Sequence, residues 1–333
     1  MEKVTMQDIA DKINISRISV WKAFNRPDKV SENLRKQVMD TAAELGYITS
    51  PAVQSMTAME HSAVSIVVSR PDSSLFWTTI IHQVAKEFAK KGTDLMYTYA
   101  PTAYKPEFKN ALKRTAYDSE GIIVLNIYNE QMLELINKID VPKVFLDTAT
   151  KTDLTSLTGD VLLIEGIETT ESITQSLIDR GCKRIGFIGD IGYAHTNFDR
   201  FTGFKNAMSK NSLTLSEDDC LTHFSGINSY QNDIENFMHT FTKFPDGFVC
   251  ASDYIAHLIY NYCLENSISI PHDLMLTGYD NSREYGNIAG KITTADVDTR
   301  SIGKKLASEL MFRIANPDAP ISRTYIYPHL LYY

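Results

Sequence analysis

Two cationic side chains and one aliphatic side chain near the N-terminus have the spacing of a base-reading helix. Arg17, Ile18 and Lys22 share one side of a helix that starts just after Ser16, and Trp21 lies among them. Arginine can donate two hydrogen bonds to O6 and N7 of guanine, lysine can reach a guanine or a phosphate, and isoleucine can contact a thymine methyl group. The alternative is that these charges form an ordinary solvated helix face.

The residues around this face predict three short helices. Thr5 with Asp8 forms a capping-box-like start, Ser16 and Ser31 can cap the second and third helices, and Gly46 ends the third. Apolar residues recur at helical spacing within each helix: Met6, Ile9, Ala10 and Ile13; Val20, Ala23 and Phe24; Leu34, Val38, Ala42 and Leu45. This pattern predicts a helix-turn-helix unit, which binds DNA by laying its second helix in the major groove.

A second group of polar residues follows apolar runs further along the chain. Asp147, Ser252, Asp253 and Asp280 each come just after a predicted strand. The predicted strands are Val64–Val68, Leu95–Tyr99, Gly121–Leu125, Val144–Leu146, Arg184–Ile188, Gly247–Ala251, Leu274–Thr277 and Lys291–Ala295. They alternate with helical stretches, which predicts parallel sheets with helices on both faces. Such sheets bind ligands beyond the carboxyl ends of their strands, so we expect these polar residues to line a ligand cleft.

The number of strands exceeds what one small sheet would use, so we expect two lobes. The segment Thr158–Glu165 falls midway and is interpreted as a crossover between them. Phe76 and Trp77, after the first predicted strand, could stack on the C–H face of a sugar ring, although a plain core role is nearly as well supported.

Composition favours a soluble two- or three-domain protein rather than a secreted or membrane protein. The 333 residues are 43% hydrophobic with a formal charge of −8, yet residues 3–36 carry eight Lys/Arg against four Asp/Glu. We find no signal segment and no apolar run long enough to span a bilayer, so we expect a cytoplasmic, nucleoid-associated protein. The four cysteines show no CxxC pair and are expected to be free buried thiols.

Enzyme motifs are missing from the sequence. We find no GxSxG, HExxH or Walker A pattern and no clustered metal ligands, so we expect no catalysis, no cofactor and no metal.

The N-terminal motif resembles the headpiece of the LacI/GalR family of bacterial repressors without a gap. The matching residues are Thr5, Asp8-Ile9-Ala10, Ile15-Ser16, Val20, Asn25, Val30-Ser31, Arg35 and Glu44-Leu45-Gly46-Tyr47. Trp21, Lys22 and Phe24 depart from the residues usual in the family, departures that bear on the operator sequence and not on DNA binding. The resemblance implies DNA contacts from Thr5, Ser16, Arg17, Ile18, Trp21, Lys22 and Asn25. It also implies a hinge helix in residues 48–62, where Met56 occupies the position of the side chain that wedges into the minor groove; the alternative is a flexible linker.

The remaining chain resembles the sugar-binding core of the same family. The resemblance implies four parts: headpiece 1–47, hinge 48–62, one lobe from 63–161 plus 292–322, and another from 162–291 plus 323–333. The expected fold is therefore an all-α helix-turn-helix headpiece followed by a two-lobed α/β core like that of periplasmic binding proteins. Asp199-Arg200-Phe201-Thr202-Gly203-Phe204 resembles the family motif whose arginine reaches the effector. The implied effector residues are Asp72, Phe76, Trp77, Asp147, Arg200, Phe224, Ser252, Asp253 and Asp280.

Together these features predict a homodimeric repressor that binds a pseudo-palindromic operator under the control of a small effector, expected to be a sugar or sugar phosphate. Ligand in the cleft is expected to favour one arrangement of the lobes and thereby displace the hinge segments. Two alternatives stay open at this point. A phosphoprotein could act as co-effector, as in some relatives of this family, or the body could be a sugar-binding module without a regulatory role.

Overall fold

The structure, a computed structural model, describes residues 4–25, 29–47, 63–70 and 74–333. The chain divides after residue 62 into a small N-terminal unit and a larger body; the described part of the small unit, residues 4–25 and 29–47, is here called the headpiece. The hinge helix expected at 48–62 lies outside the described residues together with Met56, and so does Asp72.

Three helices build the headpiece: α1 (Met6–Lys12), α2 (Arg17–Asn25) and α3 (Glu32–Glu44). The predicted capping box at Thr5 is confirmed, because Thr5 N–H donates to Asp8 Oδ2 at 2.6 Å and Asp8 N–H donates to Thr5 Oγ1 at 3.4 Å. Ser31 Oγ accepts from the N–H of Leu34 at 3.3 Å. After α3 the chain turns through Gly46 at φ +70°, the left-handed conformation that favours glycine.

Apolar side chains from all three helices meet in one small core. Ile9, Ala10, Val20, Ala23, Phe24, Val38 and Ala42 are buried there, with Leu34, Leu45 and Tyr47 packed around them. Burying a Val, Ile or Phe side chain contributes about 1.5–3 kcal/mol, so this core supplies most of what holds such short helices together.

The body contains β1 (Ala63–Ser69), β2 (Asp94–Ala100), β3 (Gly121–Leu125), β4 (Lys143–Leu146), β5 (Asp160–Ile164), β6 (Ile185–Ile188), β7 (Cys220–Leu221), β8 (Gly247–Cys250), β9 (Met275–Thr277), β10 (Thr294–Asp296), β11 (Arg323–Ile326) and β12 (His329–Leu331). Its helices are α4 (Leu75–Ala89), α5 (Glu107–Asp118), α6 (Glu130–Asn137), α7 (Ile167–Asp179), α8 (His195–Lys210), α9 (Tyr230–Met238), α10 (Asp253–Glu265) and α11 (Thr299–Ala315), with short 3₁₀ turns at Leu154–Ser156 and Glu217–Asp219.

Two parallel sheets organise these elements into lobes, as the strand and helix alternation predicts. The first sheet has the order β11-β5-β4-β3-β1-β2, and the second has the order β7-β6-β8-β9. Strands β3, β4 and β5 are buried along their whole length, which is typical of parallel strands covered by helices on both faces. Helix α11 packs on α4 in the first lobe, and α7 packs on α8 in the second.

The predicted lobe boundaries need correction. Thr158–Glu165 was predicted as a crossover, but Asp160–Ile164 forms β5, an interior strand of the first sheet. The expected second lobe included 323–333, whereas β11 at 323–326 pairs with β5. The expected first lobe included 292–322, whereas β10 forms an antiparallel pair with β12 and is linked to the β9 side of the second sheet by the Thr277 to Thr293 bridge. Strand pairing between distant segments decides these boundaries, and local hydrophobicity does not reveal it.

A buried ion pair fixes β5 in place. Arg313 of α11 donates to Asp160 Oδ2 at 2.8 Å and to Oδ1 at 2.9 Å, a bidentate arrangement. Ser322 N–H donates to the same carboxylate at 2.6 Å. Since Arg313 and Asp160 are 5% and 0% exposed, each charge depends on the other for compensation.

The four cysteines are free thiols, and three of them are buried, as expected; Cys220 is half-buried. Within the described ranges, none of the helices combines the length and the apolar character needed to cross a membrane.

Candidate DNA-reading face and effector cleft

The face predicted to read DNA is exposed on α2. Ile18 is 66% exposed and Trp21 is 47% exposed, and Arg17 and Lys22 are exposed with them. Val20, on the opposite side of the helix, is fully buried in the headpiece core. One side of α2 therefore stabilises the headpiece, and the other presents cationic and aromatic groups to a partner.

The first turn of α2 is held by Ser16. Its Oγ accepts a hydrogen bond from the N–H of Ser19 at 3.1 Å, so the helix begins where the sequence predicts. Arg17 and Ile18 consequently lie in the first turn, from which recognition helices contact base edges. Thr5 is exposed as well, with its hydroxyl donating to Asp8 Oδ2 at 2.8 Å. The side chain of Asn25 lies outside what the structure describes.

A cavity of about 470 Å³ lies between the two lobes of the body. It falls within the roughly 300–1,000 Å³ of typical small-molecule sites. Its walls come from segments that follow β1, β3, β4, β6, β8 and β9. The cleft thus lies beyond the carboxyl ends of the strands, where open α/β sheets bind ligands.

Several strands end at this cleft in a backbone conformation that is unusual outside glycine. Arg70, Asn126, Asp147 and Asp280 have φ values of +46°, +54°, +61° and +107°, and each lies just beyond a strand. Such conformations are uncommon for non-glycine residues and concentrate at functional sites. All four residues line the cavity.

Arg200 is buried beneath the cleft and aimed into it from α8. Its Nη1 donates to the carbonyl oxygen of Ala251, and its guanidinium carbon lies 3.6 Å from the centre of the Tyr279 ring. Gly203 allows α8 to approach α7, since a Cβ there would lie 2.1 Å from the carbonyl oxygen of Ile167. The glycine of the predicted motif therefore has a packing role that positions Arg200.

Two carboxyl groups near Arg200 have raised pKa values. Burial raises the pKa of Asp280 to about 7, although Arg200, whose Nη2 is 3.7 Å from Asp280 Oδ1, acts in the opposite direction. Burial also raises the pKa of Asp253 to about 6, against hydrogen bonds from Ser282 N–H at 2.6 Å and the Thr294 hydroxyl at 2.8 Å. Near neutral pH, Asp280 is therefore poised between donating and accepting a hydrogen bond.

Asp147 supplies a third carboxyl group, from the other lobe. Its Oδ2 accepts from the Thr196 hydroxyl at 2.7 Å, and its Oδ1 accepts from the N–H of Thr148 at 2.8 Å. Burial raises its pKa, and these hydrogen bonds oppose the rise. Because Thr196 belongs to α8, Asp147 joins the two lobes at the cleft floor.

Aromatic rings form much of the cavity wall. Phe76 and Trp77 pack edge to face with ring centres 5.1 Å apart. Tyrosines that the sequence reasoning missed join them: Tyr128, Tyr193, Tyr230, Tyr254 and Tyr285. Such rings offer flat apolar faces with polar rims, which suits a ligand with C–H faces and hydroxyl edges.

Side chains of the two lobes also meet directly across the cleft. Arg70 Nη2 donates to the Tyr193 hydroxyl at 3.0 Å, and the Tyr128 and Tyr193 ring centres are 4.5 Å apart. Glu284 Oε2 accepts from the N–H of Leu75 at 3.1 Å, at the start of α4. These contacts join the two lobes across the cleft, and a movement of the lobes apart would break them.

Most of the predicted effector residues lie at this cavity. Phe76, Trp77, Asp147, Arg200, Ser252 and Asp280 line it. Phe224 and Asp253 do not line it. Phe224 stacks behind Tyr230, with ring centres 4.2 Å apart, so Tyr230 takes the lining position. Asp253 follows the lining residue Ser252 and turns under the cleft floor, where it is 3% exposed.

Among residues 4–25, 29–47, 63–70 and 74–333, no three His, Cys, Asp or Glu side chains form a group that could hold a metal ion.

Two family models match the chain. The model described as "Bacterial regulatory proteins, lacI family" matches residues 5–50, and the model of a periplasmic binding protein-like domain matches residues 174–332. The chain belongs to the lacI family of bacterial regulatory proteins. This confirms the resemblance and the fold class predicted from the sequence.

Relatives of this LacI-family chain extend over its whole length. The HTH-type transcriptional regulator RegA of Clostridium saccharobutylicum is 26% identical and covers 98% of this chain and 97% of its own sequence. The transcriptional regulator CelR in complex with cellobiose has a TM-score of 0.71 at 20% identity, with 98% of each chain covered. The Lac repressor dimer bound to operator and the anti-inducer ONPF has a TM-score of 0.71 at 17% identity, covering 99% of this chain and 98% of that one.

Membership in the LacI family makes this chain a DNA-binding regulator of transcription. The family consists of regulatory DNA-binding proteins rather than enzymes, in line with the missing catalytic motifs.

Proposed function

We propose that this LacI-family chain is a homodimeric repressor that binds a pseudo-palindromic operator, and that a carbohydrate in the cleft of the body controls its operator affinity. The observation that carries the effector assignment is the cavity itself, which combines closely packed aromatic rings with Arg200, Asp147 and Asp280. Rings contact the C–H faces of a sugar, while the guanidinium and the carboxyl groups bind its hydroxyls.

In the proposed DNA interface, Arg17 and Lys22 supply the positive charges of the exposed face of α2, and Ile18 supplies its apolar contact. Arg17 and Ile18 read base edges, whereas Thr5 and Ser16 contact phosphates from helix starts. Trp21, Asn25 and Met56 complete this proposed interface, with 48–62 as the hinge. A two-fold symmetric dimer then requires two half-sites of opposite orientation.

Control of operator affinity follows from differential binding. A ligand that prefers one arrangement of the lobes shifts the dimer toward that arrangement. The largest possible change in the equilibrium between the two arrangements equals the ratio of the ligand's affinities for them. The contacts across the cleft, such as Glu284 to Leu75 N–H, give the closed arrangement its own stabilisation. By analogy of fold, the cellobiose complex of CelR supports the carbohydrate assignment, and the operator complex of the Lac repressor supports the DNA-binding assignment.

A thermal-shift screen of the purified full-length protein tests the effector assignment. The panel contains free monosaccharides, di- and trisaccharides, and sugar phosphates. A ligand selective for the native state stabilises it by about 2.7 kcal/mol at a concentration of 100 times Kd. We expect at least one carbohydrate to raise the Tm and to change the affinity for an operator selected from random DNA, measured by fluorescence anisotropy.

The two tryptophans of the chain provide matched variants for this experiment. Trp77→Ala, in the cleft, should lose the thermal shift and retain operator binding. Trp21→Ala, on α2, should weaken operator binding and retain the thermal shift. If no carbohydrate of the panel raised the Tm, the carbohydrate assignment would be wrong, and the DNA-binding assignment would be unaffected.

A further inference from the structure

The exposed face of α2 carries two large hydrophobic side chains, here called the apolar patch. Within the described headpiece residues, 4–25 and 29–47, the patch consists of the two large hydrophobic side chains that are exposed: Ile18 at 66% and Trp21 at 47%. Neither of them belongs to the buried core of the headpiece. Apolar side chains that a small domain leaves grouped in contact with water are typical of a binding surface.

The apolar patch occupies the middle of the exposed face. Counted from Arg17 at about 100° per residue, Trp21 lies at about 40° around the helix and Ile18 at about 100°. Lys22 follows at about 140°. The residues of α2 that are buried in the headpiece core fall between about 240° and 340° on the same scale. The patch therefore points away from the core, with one cationic side chain on each flank, an arrangement that suits a partner with negative charge on both sides of its binding groove.

The hydrogen-bonding capacity of this face restricts which bases it suits. Of the four side chains that the structure exposes there, Arg17 and Lys22 only donate, Trp21 has a single N–H donor, and Ile18 is apolar. The first turn of α2 contains no acidic residue either. These side chains therefore offer no acceptor to the amino groups that adenine and cytosine present in the major groove, and they suit guanine and thymine.

Thymine carries the apolar group that the patch can contact. Its C5 methyl group is the apolar feature of base edges in the major groove. An apolar side chain gains by covering this methyl group, whereas covering a polar base edge would cost that edge its hydrogen bonds to water. On a helix, Cβ atoms three residues apart are about 5–6 Å from each other, more than the roughly 3.4 Å between successive base pairs. Ile18 and Trp21 consequently reach different base pairs.

We infer that Ile18 and Trp21 read the C5 methyl groups of two thymines, at different base pairs, in each operator half-site. Recognition by the apolar patch then depends on the methyl group itself and not on the hydrogen-bonding edge of the base. This inference rests on the proposed DNA-binding function and specifies what the exposed face of α2 recognises.

Fluorescence anisotropy with the full-length protein and an operator selected from random DNA tests the inference. Each thymine of a half-site is replaced in turn by uracil, which removes only the methyl group, and each thymine–adenine pair is replaced by a cytosine–guanine or a 5-methylcytosine–guanine pair. We expect two positions at which thymine is bound about fourfold more tightly than uracil, the contribution of one buried methyl-sized group. At the same positions, 5-methylcytosine should be bound more tightly than cytosine by a similar factor.

Substitutions on α2 assign each methyl group to a side chain. Ile18→Ala should abolish the preference for thymine over uracil at one of the two positions, and Trp21→Ala should abolish it at the other. Lys22→Ala is the matched control on the same face, because it removes a charge and leaves the apolar patch in place. It should weaken binding to every operator and retain both methyl preferences. The modified bases test the unaltered protein directly, so the result does not depend on how well a variant folds.

Three results would overturn the inference and leave the DNA-binding proposal intact. The first is a selected operator in which uracil replaces every thymine without loss of affinity. The second is a uracil effect without a matching 5-methylcytosine effect, because the methyl group would then not be the feature that is read. The third is a methyl preference that persists in both Ile18→Ala and Trp21→Ala. If selection enriched no sequence from random DNA, the proposed sequence-specific DNA binding would be wrong, and the inference with it.

Discussion

Asp280 makes the stability of the body depend on pH in a direction opposite to that of a typical surface carboxylate. Burial raises its pKa from 3.8 to about 7. Between these values the folded protein keeps the proton while the unfolded chain releases it, so the unfolded chain binds fewer protons. Raising the pH through this window therefore lowers the free energy of unfolding, and the stabilisation by the protonated form is fully present only below about pH 4.

The size of the effect follows from the same interval. At about 1.36 kcal/mol per pH unit, an interval from 3.8 to about 7 corresponds to roughly 4 kcal/mol. Because the Asp280 side chain is 22% exposed, water screens part of this, and we expect about 3–4 kcal/mol. Asp280→Asn mimics the protonated acid and retains an oxygen facing Arg200. The variant should exceed the unaltered protein by only about 1 kcal/mol at pH 4.5 and by up to 3–4 kcal/mol at pH 8.

The assay is thermal unfolding followed by circular dichroism from pH 4.5 to 8.5 on both proteins. At about 2–4 °C per kcal/mol, 3–4 kcal/mol corresponds to about 6–16 °C in Tm. Asp253, with a pKa raised to about 6, titrates in both proteins, and its negative charge also raises the pKa of Asp280; the difference between the two proteins therefore reports the ionisation of Asp280 together with this interaction. A Tm difference that stays constant with pH, or a variant less stable at pH 8, would refute the assigned ionisation of Asp280.

Three further substitutions have definite expected outcomes. Arg17→Ala should lower operator affinity by roughly 1–3 kcal/mol and relax the preference at one base pair, as measured by anisotropy on single-base operator variants; equal weakening on every sequence would contradict base reading. Arg200→Ala should remove the ligand-dependent change in operator affinity. The variant should also have a lower Tm, because the charged hydrogen bond from Arg200 to the carbonyl of Ala251 contributes about 1.5–3 kcal/mol. A normal ligand response of the variant would exclude Arg200 from the site. Arg313→Ala should destabilise the body by about 3–5 kcal/mol, since it leaves Asp160 buried without its partner, and Asp160→Asn in the same background should restore part of the loss in a urea titration.

The headpiece could be predicted from the sequence because its signals are local. Thr5 and Ser31 cap helices in the structure, and the period of Ile9, Val20 and Val38 identifies the buried side of each helix. Each of these signals acts within one or two helical turns. The buried contacts of the headpiece can therefore be predicted from patterns within each helix, although these contacts are what stabilise the unit.

The cleft could be predicted only in part. Asp147, Arg200 and Asp280 were found because they follow strands or match a motif, and the same strand-end argument applied to Arg70 and Asn126 would have found two more lining residues. The lining tyrosines belong to loops and helix starts, and no periodicity reveals which way such side chains face. The pairing of β5 with β11 likewise joins segments far apart in sequence, which local patterns do not specify.

That long-range pairing also sets the order in which the protein can be completed on the ribosome. Residues 5–47 contain all the contacts of the headpiece core, so the DNA-reading unit can fold soon after it emerges. Strand β5, by contrast, keeps one edge unpaired until residues 323–326 have been synthesised, and an unpaired edge invites association with other chains. A nascent chain that stalls between these points carries a complete headpiece core and an incomplete first sheet, so the two units reach their final contacts at different stages of translation.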